Sequence, residues 1–207
     1  MELKTRSFLI IASMVLILGC NSSFKSERAF LKWINNPESG FVKKTSANGF
    51  SLQMKYMPPE YLAIIEMSKE EAEMEINILT KQFEDSRTFL LTVEHDISGI
   101  DVTNYGVNNM PEFKERMNEL NFQIKDYLFL RTEEGKKIRP VLTTFENLYE
   151  IGGKKSFYVV FPKEQEIKMA TENLDIVFED PFFDTGINHF MFKTEKIDNL
   201  PPLQFLN

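Results

Sequence analysis

The sequence predicts an α+β fold in which an antiparallel β-sheet or β-sandwich carries two main α-helices and a short N-terminal helix. Three observations support this fold class. An early segment alternates between apolar and polar residues, the middle of the chain shows helical spacing of apolar residues, and the second half contains several short strand-like segments. Short strands separated by turn residues are typical of an antiparallel sheet or sandwich.

Two elements are predicted near the start of the folded region. Ser26 can cap a short helix over residues 27–34, and the breaker-rich segment 35–40 ends that helix. Residues 49–57 alternate with a period of two, which predicts a strand with one buried face. The apolar positions on that face are Phe50, Leu52, Met54 and Tyr56.

The first main helix is predicted over about residues 69–84. Ser68 and Glu71 match a capping box, in which each side chain satisfies a free backbone amide at the start of a helix. The apolar residues that follow at helical spacing are Ala72, Ile76, Leu79 and Phe83. Residues 60–67, which precede this helix, fit either a short helix or an apolar connector.

The second main helix is predicted over about residues 111–122. Pro111 suits the first turn of a helix, where a missing backbone amide costs no hydrogen bond. The apolar residues expected on its inner face are Phe113, Met117 and Leu120. Between the two helices, residues 88–94 are predicted to form a buried strand and residues 96–109 a polar loop.

From residue 126 onward the pattern changes to strands. The candidate strands are residues 127–131, 137–147, 155–161, 174–179 and 187–194. The segment 155–161 is apolar on both faces, so we expect it to be a central strand. Pro140 indicates either an edge position or a strand that begins only after it, because proline cannot donate a hydrogen bond to a neighbouring strand.

The composition suits a domain with a sizeable core. The chain has 207 residues, among them 19 phenylalanines, and its net charge is −7. An acidic domain is a poor candidate for binding nucleic acid through bulk charge. Cys20 is the single cysteine, so no disulfide can form within the chain.

The first twenty residues have the features of a signal peptide. Lys4 and Arg6 precede an uncharged run over residues 8–18. At about 1.5 Å per residue, a helix of that length is too short to cross a hydrocarbon core of about 30 Å with ease. This favours a removable leader over a transmembrane helix. The run ends in Ile17-Leu18-Gly19-Cys20, which resembles the lipobox of bacterial lipoproteins.

The resemblance to bacterial lipoproteins implies a division of the chain. Residues 1–19 would be removed as a signal peptide, Cys20 would carry the diacylglyceryl group, and its new amine would be acylated. Residues 20–25 would then be a short tether and residues 26–207 a single α+β domain. The expected partner is the lipid bilayer, and the absence of aspartate after Cys20 favours the outer membrane.

The body of the chain has two further resemblances. The segment from Trp33 to Ala63 resembles small lipoproteins of unknown activity that are common in Bacteroidota. The general plan, a lipobox followed by a β-rich domain with helices, is also similar to the outer-membrane lipoprotein of type VI secretion complexes. That lipoprotein recruits an inner-membrane partner, although none of its motifs matches this sequence.

Candidate catalytic or metal-binding residues are few. The chain has two histidines, His95 and His189, and lacks a G-x-S-x-G nucleophile motif. Residues 94–96 could hold a metal ion, but a strand end entering a solvated loop explains them more simply.

The segment 180–189 offers a second metal hypothesis. Asp180, Asp184 and His189 could hold calcium, yet the spacing lacks an EF-hand pattern. A turn capped by aspartate, with Phe182 and Phe183 as a hydrophobic plug, is the preferred interpretation. The basic run 136–139 is interpreted as a solvated strand start.

These observations favour a non-enzymatic lipoprotein of the cell envelope, with Cys20 as its lipidation site and no cofactor or metal. Its expected role is docking or assembly through contacts with another envelope protein. The alternative is an envelope ligand-binding protein or hydrolase with a cleft of acidic and aromatic side chains. A deep cleft with converging charges would favour the alternative, whereas an exposed apolar patch or open edge strand would favour docking.

Overall fold

The computed structural model describes residues 23–69, 76–132, 134–146, 153–163 and 172–203. The strands are β1 (Val42–Ala47), β2 (Phe50–Met57), β3 (Ser86–His95), β4 (Leu128–Arg131), β5 (Lys137–Ile138), β6 (Leu142–Glu146), β7 (Lys155–Pro162), β8 (Asn173–Asp180) and β9 (Gly186–Lys193). The α-helices are α1 (Glu27–Ile34), α2 (Pro59–Lys69), α3 (Ile76–Phe83), α4 (Met110–Asn118) and α5 (Thr194–Asp198). Short 3-10 segments lie at Pro37–Ser39, Val102–Asn104 and Ile124–Tyr127, and a π-helical turn lies at Glu119–Gln123.

The strands form two antiparallel sheets, which confirms the predicted α+β class. The first sheet has the order β1-β2-β3-β7-β6, and the second has the order β5-β4-β8-β9. The predicted central strand, β7, lies between β3 and β6 and is therefore inside its sheet.

The two sheets pack their apolar faces against one core. The four apolar residues predicted for β2 are all buried, as the period of two requires. Across the gap between the sheets, the ring of Phe89 in β3 lies 5.3 Å from that of Phe192 in β9. Phe50 of β2 likewise lies 5.0 Å from Phe183, which follows β8. The core therefore joins residues from both halves of the chain.

Helix α2 contacts the other side of the first sheet. Lys55 of β2 points away from the core between the sheets, and its Nζ donates to the hydroxyl of Tyr61 at 2.8 Å and to Asn35 at 3.1 Å. These acceptors explain how a lysine can be almost fully buried on a central strand.

Helix α1 begins and ends as predicted. The Ser26 hydroxyl accepts from the amide of Ala29 at 3.3 Å, and Phe30 and Ile34 are buried on its inner face. Phe24, in the expected tether, pairs with the end of the described chain, since its amide donates to the carbonyl of Pro202 at 3.1 Å. The last residues before α1 are thus held against the body.

The predicted helix over about 69–84 is wrong in its layout. Ser68 lies inside α2 and not before its first turn, and Ile76 begins the separate helix α3. Ala72 and Glu71 lie outside the described residues. Pro59 explains the difference, because proline suits the first turn of a helix as well as the end of a strand. The segment left open between helix and connector is therefore helical.

The predicted helix over about 111–122 also differs from the structure. It begins one residue earlier and ends at Asn118, where the π-helical turn follows. Its start is fixed by the side chain of Asn109, which accepts from the amide of Glu112 at 3.0 Å. The wider turn buries Leu120 and leaves Phe122 exposed, whereas Phe113 and Met117 are only partly buried.

The predicted strand over 137–147 is two strands in different sheets. β5 ends before Pro140 and pairs with β4, whereas β6 begins at Leu142 and forms an edge of the first sheet. The alternative in which a strand begins after Pro140 is confirmed. β1 and α5 were not predicted, because the polar sequence of β1 and the shortness of α5 leave no periodic signal.

No helix in the described part of the chain combines the length and the apolar character needed to cross a membrane. The predicted signal peptide and Cys20 lie outside the described residues.

Candidate ligand-binding cleft

An arginine occupies a core position of β3. Alternate residues of a strand point to the same face, and Phe89, Leu91 and Val93 all point into the core. Arg87 continues the same series and is only 2% exposed. Arginine is almost never fully buried unless its charge is paired, so this position needs an explanation.

The guanidinium of Arg87 has fewer partners than its burial requires. Its Nη2 donates to Asp198 Oδ1 at 2.9 Å, and the side chain of Asp198 is 48% exposed. Its Nε and Nη1 are enclosed and have no hydrogen-bond partner among the described residues. An unsatisfied buried donor costs roughly 1–3 kcal/mol, and more when it is charged. The folded chain therefore buries the Arg87 guanidinium with too few hydrogen-bond acceptors.

Arg87 lines a cleft of about 660 Å³ at one end of the first sheet. The cleft lies where β2 ends and β3 begins, between the start of α2, the end of α3 and α5. Its charged and phenolic side chains are Tyr56, Glu60, Glu84, Arg87, Lys163 and Asp198. A cleft of this size is in the range that binds small molecules.

The fold explains how these side chains meet. Antiparallel pairing places Arg87 opposite Phe161, close to the end of β7 and to Lys163. Tyr56 is the last inward-facing residue of β2. Helix α5 fixes Asp198 beside the guanidinium, because its neighbour Ile197 is buried in the core.

The charges in the cleft are unevenly paired. Arg87 and Asp198 form an ion pair, whereas Glu60 and Glu84 have no ion-pair partner among the described residues. The two carboxylates lie on α2 and just after α3, so separate elements bring them to the same cleft. With Lys163 as the other cation, the lining carries one more negative than positive charge.

Tyr56 adds an uncharged donor to the cleft. Burial raises its pKa well above the ordinary value, and the negative charges of Glu60 and Asp198 add to this effect, whereas Arg87 opposes it. The hydroxyl therefore keeps its proton at neutral pH and can donate to an oxygen of a bound molecule.

The histidines predicted as candidates lie elsewhere. His95 Nδ1 accepts from the amide of Ile97 at 3.0 Å, and its ring packs against Phe50 and Tyr105. His189 Nδ1 lies 3.1 Å from both carboxylate oxygens of Asp175, which also accepts from Arg131 at 2.7 Å. Neither histidine lines the Arg87 cleft.

The segment 180–189 forms the aspartate-capped turn that the sequence predicts. The carboxylate of Asp180 accepts from the amides of Phe182, Phe183 and Thr185 and from the Thr185 hydroxyl. Phe182 and Phe183 are buried, in agreement with the predicted plug. No group of three or more histidine, cysteine, aspartate or glutamate side chains that could hold a metal ion occurs among the described residues.

The basic run 136–139 lies beside an aromatic ring. Lys137 is half-exposed and pairs with Glu179 at 2.9 Å, and its Nζ lies 4.0 Å from the ring centroid of Phe129. Arg139 also approaches this ring, at 5.6 Å. The run thus covers an apolar residue on the outer face of the second sheet.

Arg87 is the functional candidate that sequence reasoning did not identify. The predicted strand begins at Thr88, but the alternation of buried residues extends one step further back to Arg87. An arginine in register with the core residues of a buried strand is the signal that could have revealed it.

The comparisons with known proteins give only distant structural likeness. A protein of unknown function from Burkholderia pseudomallei has 13% identity and a TM-score of 0.39, over 82% of this chain and 86% of that one. A DUF4426 family protein from Pseudomonas aeruginosa has 7% identity and a TM-score of 0.33, over 74% of this chain and 93% of that one. No protein-family model and no curated protein matches the sequence.

Proposed function

We propose that this chain is a lipid-anchored protein of the bacterial envelope that binds a small ligand in the Arg87 cleft without catalysing a reaction. The observation that carries the ligand-binding proposal is the buried guanidinium beside a cleft of about 660 Å³, because its Nε and Nη1 have no acceptors in the described part of the chain. Of the two roles that the sequence suggests, this geometry favours ligand binding over docking.

The missing acceptors indicate an anionic group on the ligand. A guanidinium presents its donors as a planar fork that matches a carboxylate or phosphate, and such charge-assisted hydrogen bonds are stronger than neutral ones. Tyr56 can donate a further hydrogen bond to the same group. An anion would therefore relieve the desolvation cost of Arg87.

Ligand entry requires a small movement, because Nε and Nη1 are enclosed. Asp198 is half-exposed, lies at the end of a five-residue helix and contacts the guanidinium through one oxygen. Its rotation toward solvent would free the Nη2 edge of the fork, and an anionic group of the ligand would replace the acceptor that the buried guanidinium loses.

The proposed anchor would bring the cleft close to the membrane. Three residues separate Cys20 from Phe24, and Phe24 is hydrogen-bonded to Pro202. Leu200, two residues before Pro202, lines the cleft. An extended chain spans at most about 3.5 Å per residue, so the cleft would lie within a few tens of ångströms of an acylated Cys20. Acyl chains at that residue would provide stable anchoring.

Ligand binding can be tested with propionate, which supplies a carboxylate and little else. We expect saturable shifts of backbone amide signals in β3 and α5 of the wild-type domain at millimolar propionate, and no such shifts in Arg87→Met. Arg131→Met is the matched control, because Arg131 pairs with Asp175 outside the cleft. Wild-type protein that shows no saturable shift, or shifts that persist in Arg87→Met, would overturn the proposed function.

The anchor is tested separately by Cys20→Ala. This variant should lose incorporation of labelled fatty acid and leave the membrane fraction. If it fractionates with the outer membrane as the wild type does, the lipoprotein proposal fails, whatever the result of the ligand experiment.

Docking to an envelope protein remains a second candidate because of one observation. Val141 and Leu142 are exposed at the start of β6, an edge strand of the first sheet. Exposed apolar residues beside an edge strand are typical of sites that pair with another chain. Site-specific crosslinking from position 142 in native membranes should then yield a discrete adduct, and the same probe at exposed Lys114 should not.

A further inference from the structure

We infer that the ligand of the Arg87 cleft is a small zwitterion, with an anionic group bound by Arg87 and a primary ammonium group bound by Glu60 and Glu84. This inference rests on the proposed function and names the ligand class for the same site. The lining of the cleft carries more negative than positive charge, so a simple anion does not match it.

The cleft offers more negative charge than its cations can neutralise. Asp198 balances Arg87, which leaves Glu60 and Glu84 against Lys163. Neither glutamate has an ion-pair partner among the described residues. A ligand that carried only a carboxylate would bring a further negative charge to this surplus, so it would bind less tightly than a ligand that also carries an ammonium group.

A zwitterion satisfies both halves of the cleft. Its anionic oxygens can accept from the guanidinium of Arg87 and from the protonated hydroxyl of Tyr56. Its ammonium group can donate to the two glutamates. The ligand thereby completes the partners of a buried cation and neutralises a surplus of carboxylates, which no ligand of a single charge can do.

The positions of the charges assign the two ends of the ligand. Arg87 is buried at the core side of the cleft, whereas Glu84 is exposed and Glu60 is half-buried. The anionic end therefore enters first and the ammonium end stays nearer to solvent. A cleft of about 660 Å³ has room for more than a free amino acid, so short peptides and phosphoethanolamine headgroups share the chemistry it would recognise.

The test compares ligands that differ by one charged group. We expect L-alanine to bind the wild-type domain about tenfold more tightly than propionate, which lacks the ammonium group, because a charge-assisted hydrogen bond is worth at least that factor. Ethylammonium, which lacks the carboxylate, should bind more weakly than L-alanine. Phosphoethanolamine distinguishes a lipid headgroup from an amino acid or peptide as the natural ligand. Binding that is tighter than that of L-alanine points to a lipid headgroup, and weaker binding points to an amino acid or peptide.

The glutamates are tested with Glu60→Gln, Glu84→Gln and the double variant. The double variant should lose the tenfold preference for L-alanine while it binds propionate at least as tightly as the wild type does. Glu66→Gln, also on α2 but outside the cleft, is the matched control and should keep the preference.

The outcomes separate this inference from the proposed function. Equal binding of L-alanine and propionate, with Arg87 still required, would overturn the zwitterion inference and leave the proposed function intact. A preference for L-alanine that survives in the double variant would overturn the role of the two glutamates. Absence of binding by both carboxylates would overturn the proposed function itself.

Discussion

Arg87 follows the alternation of buried residues in β3, although an arginine is rarely buried without full pairing of its charge. The period of two that buries Phe89 and Val93 also buries this guanidinium, which has a single hydrogen-bonded partner among the residues that the structure describes. Local rules broken at an energetic cost are expected mainly at functional sites. The partner could not be predicted from the sequence, since Asp198 lies 111 residues further along the chain.

Gly153 is a second residue whose identity the structure explains. Its carbonyl accepts from the amide of Val102 at 3.0 Å, and a Cβ at this position would overlap the carbonyl group of Ile100. We expect Gly153→Ala to lower the free energy of unfolding by at least about 2 kcal/mol, because backbone atoms would have to move. Urea titration of the purified domain measures this loss.

Gly99→Ala is the matched control for that substitution. Gly99 has a φ of +87° but open space around it, so alanine there should cost only about 1 kcal/mol of backbone strain. Equal losses for the two variants would contradict the close approach of Gly153 to Ile100.

Asp101 makes part of this region sensitive to acid. Burial raises the pKa of Asp101, but hydrogen bonds from Thr103 and the ion pair with Lys155 outweigh it, so the pKa is lower than usual. A lowered pKa in the folded state gives stability that is present above the unfolded pKa and is lost as pH falls through the folded pKa. Asp101→Asn should therefore be less stable than the wild type at about pH 7, and this difference should shrink below about pH 4.

Urea midpoints across this pH range measure the effect. Asp126→Asn, which removes an exposed carboxylate, is the control for the loss of one negative charge. A stability difference for Asp101→Asn that stays constant down to about pH 2 would contradict the assigned linkage.

Among the elements, those with a strong local pattern are the ones that the sequence predicts. β2, β3 and β7 follow from alternation, and α1 follows from its cap and apolar face. The predicted helix start at Ser68 and the predicted helix end at residue 122 do not follow, because α2 already begins at Pro59 and a π-helical turn follows Asn118.

The turn between β8 and β9 is an element whose stability depends on one carboxylate. Asp180 accepts hydrogen bonds from three amides and one hydroxyl, which hold Phe182 and Phe183 in the core. Asp180→Ala would leave those donors without this acceptor, so the free energy of unfolding should fall by roughly 2–4 kcal/mol.

Thermal unfolding with and without millimolar calcium distinguishes this cap from a cation site. Because the Asp180 oxygens are already occupied by donors, calcium should not raise the melting temperature of the wild type. Asp184→Ala is the control, and its melting temperature should change far less than that of Asp180→Ala. A rise with calcium that requires Asp180 would contradict the structural role of the turn.

At the scale of the whole molecule, distant segments build the cleft. Its lining comes from β2, α2, α3, β3, the residue after β7 and the segment that follows β9, so no continuous sequence motif could predict it. The two ends of the described chain also meet, at Phe24 and Pro202, near the cleft residue Leu200. The sequence could therefore indicate an anchor and a β-rich body, whereas the cleft depends on the tertiary fold.

The central claim is that Arg87 serves a ligand and not the fold. The most direct measurement is the free energy of unfolding of Arg87→Met without ligand, compared with the wild type and with Arg131→Met. Replacing a buried ion pair by apolar side chains of similar volume is often neutral or stabilising, and the partner that Arg87→Met leaves unpaired, Asp198, is half-exposed and can be solvated. Arg131→Met should instead destabilise, because it leaves the buried carboxylate of Asp175 with fewer partners.

We expect Arg87→Met to be as stable as the wild type or more stable, while it loses the response to L-alanine. A fall in its free energy of unfolding of more than about 1 kcal/mol, comparable to an ordinary destabilising core substitution, would contradict the claim and assign Arg87 a structural role.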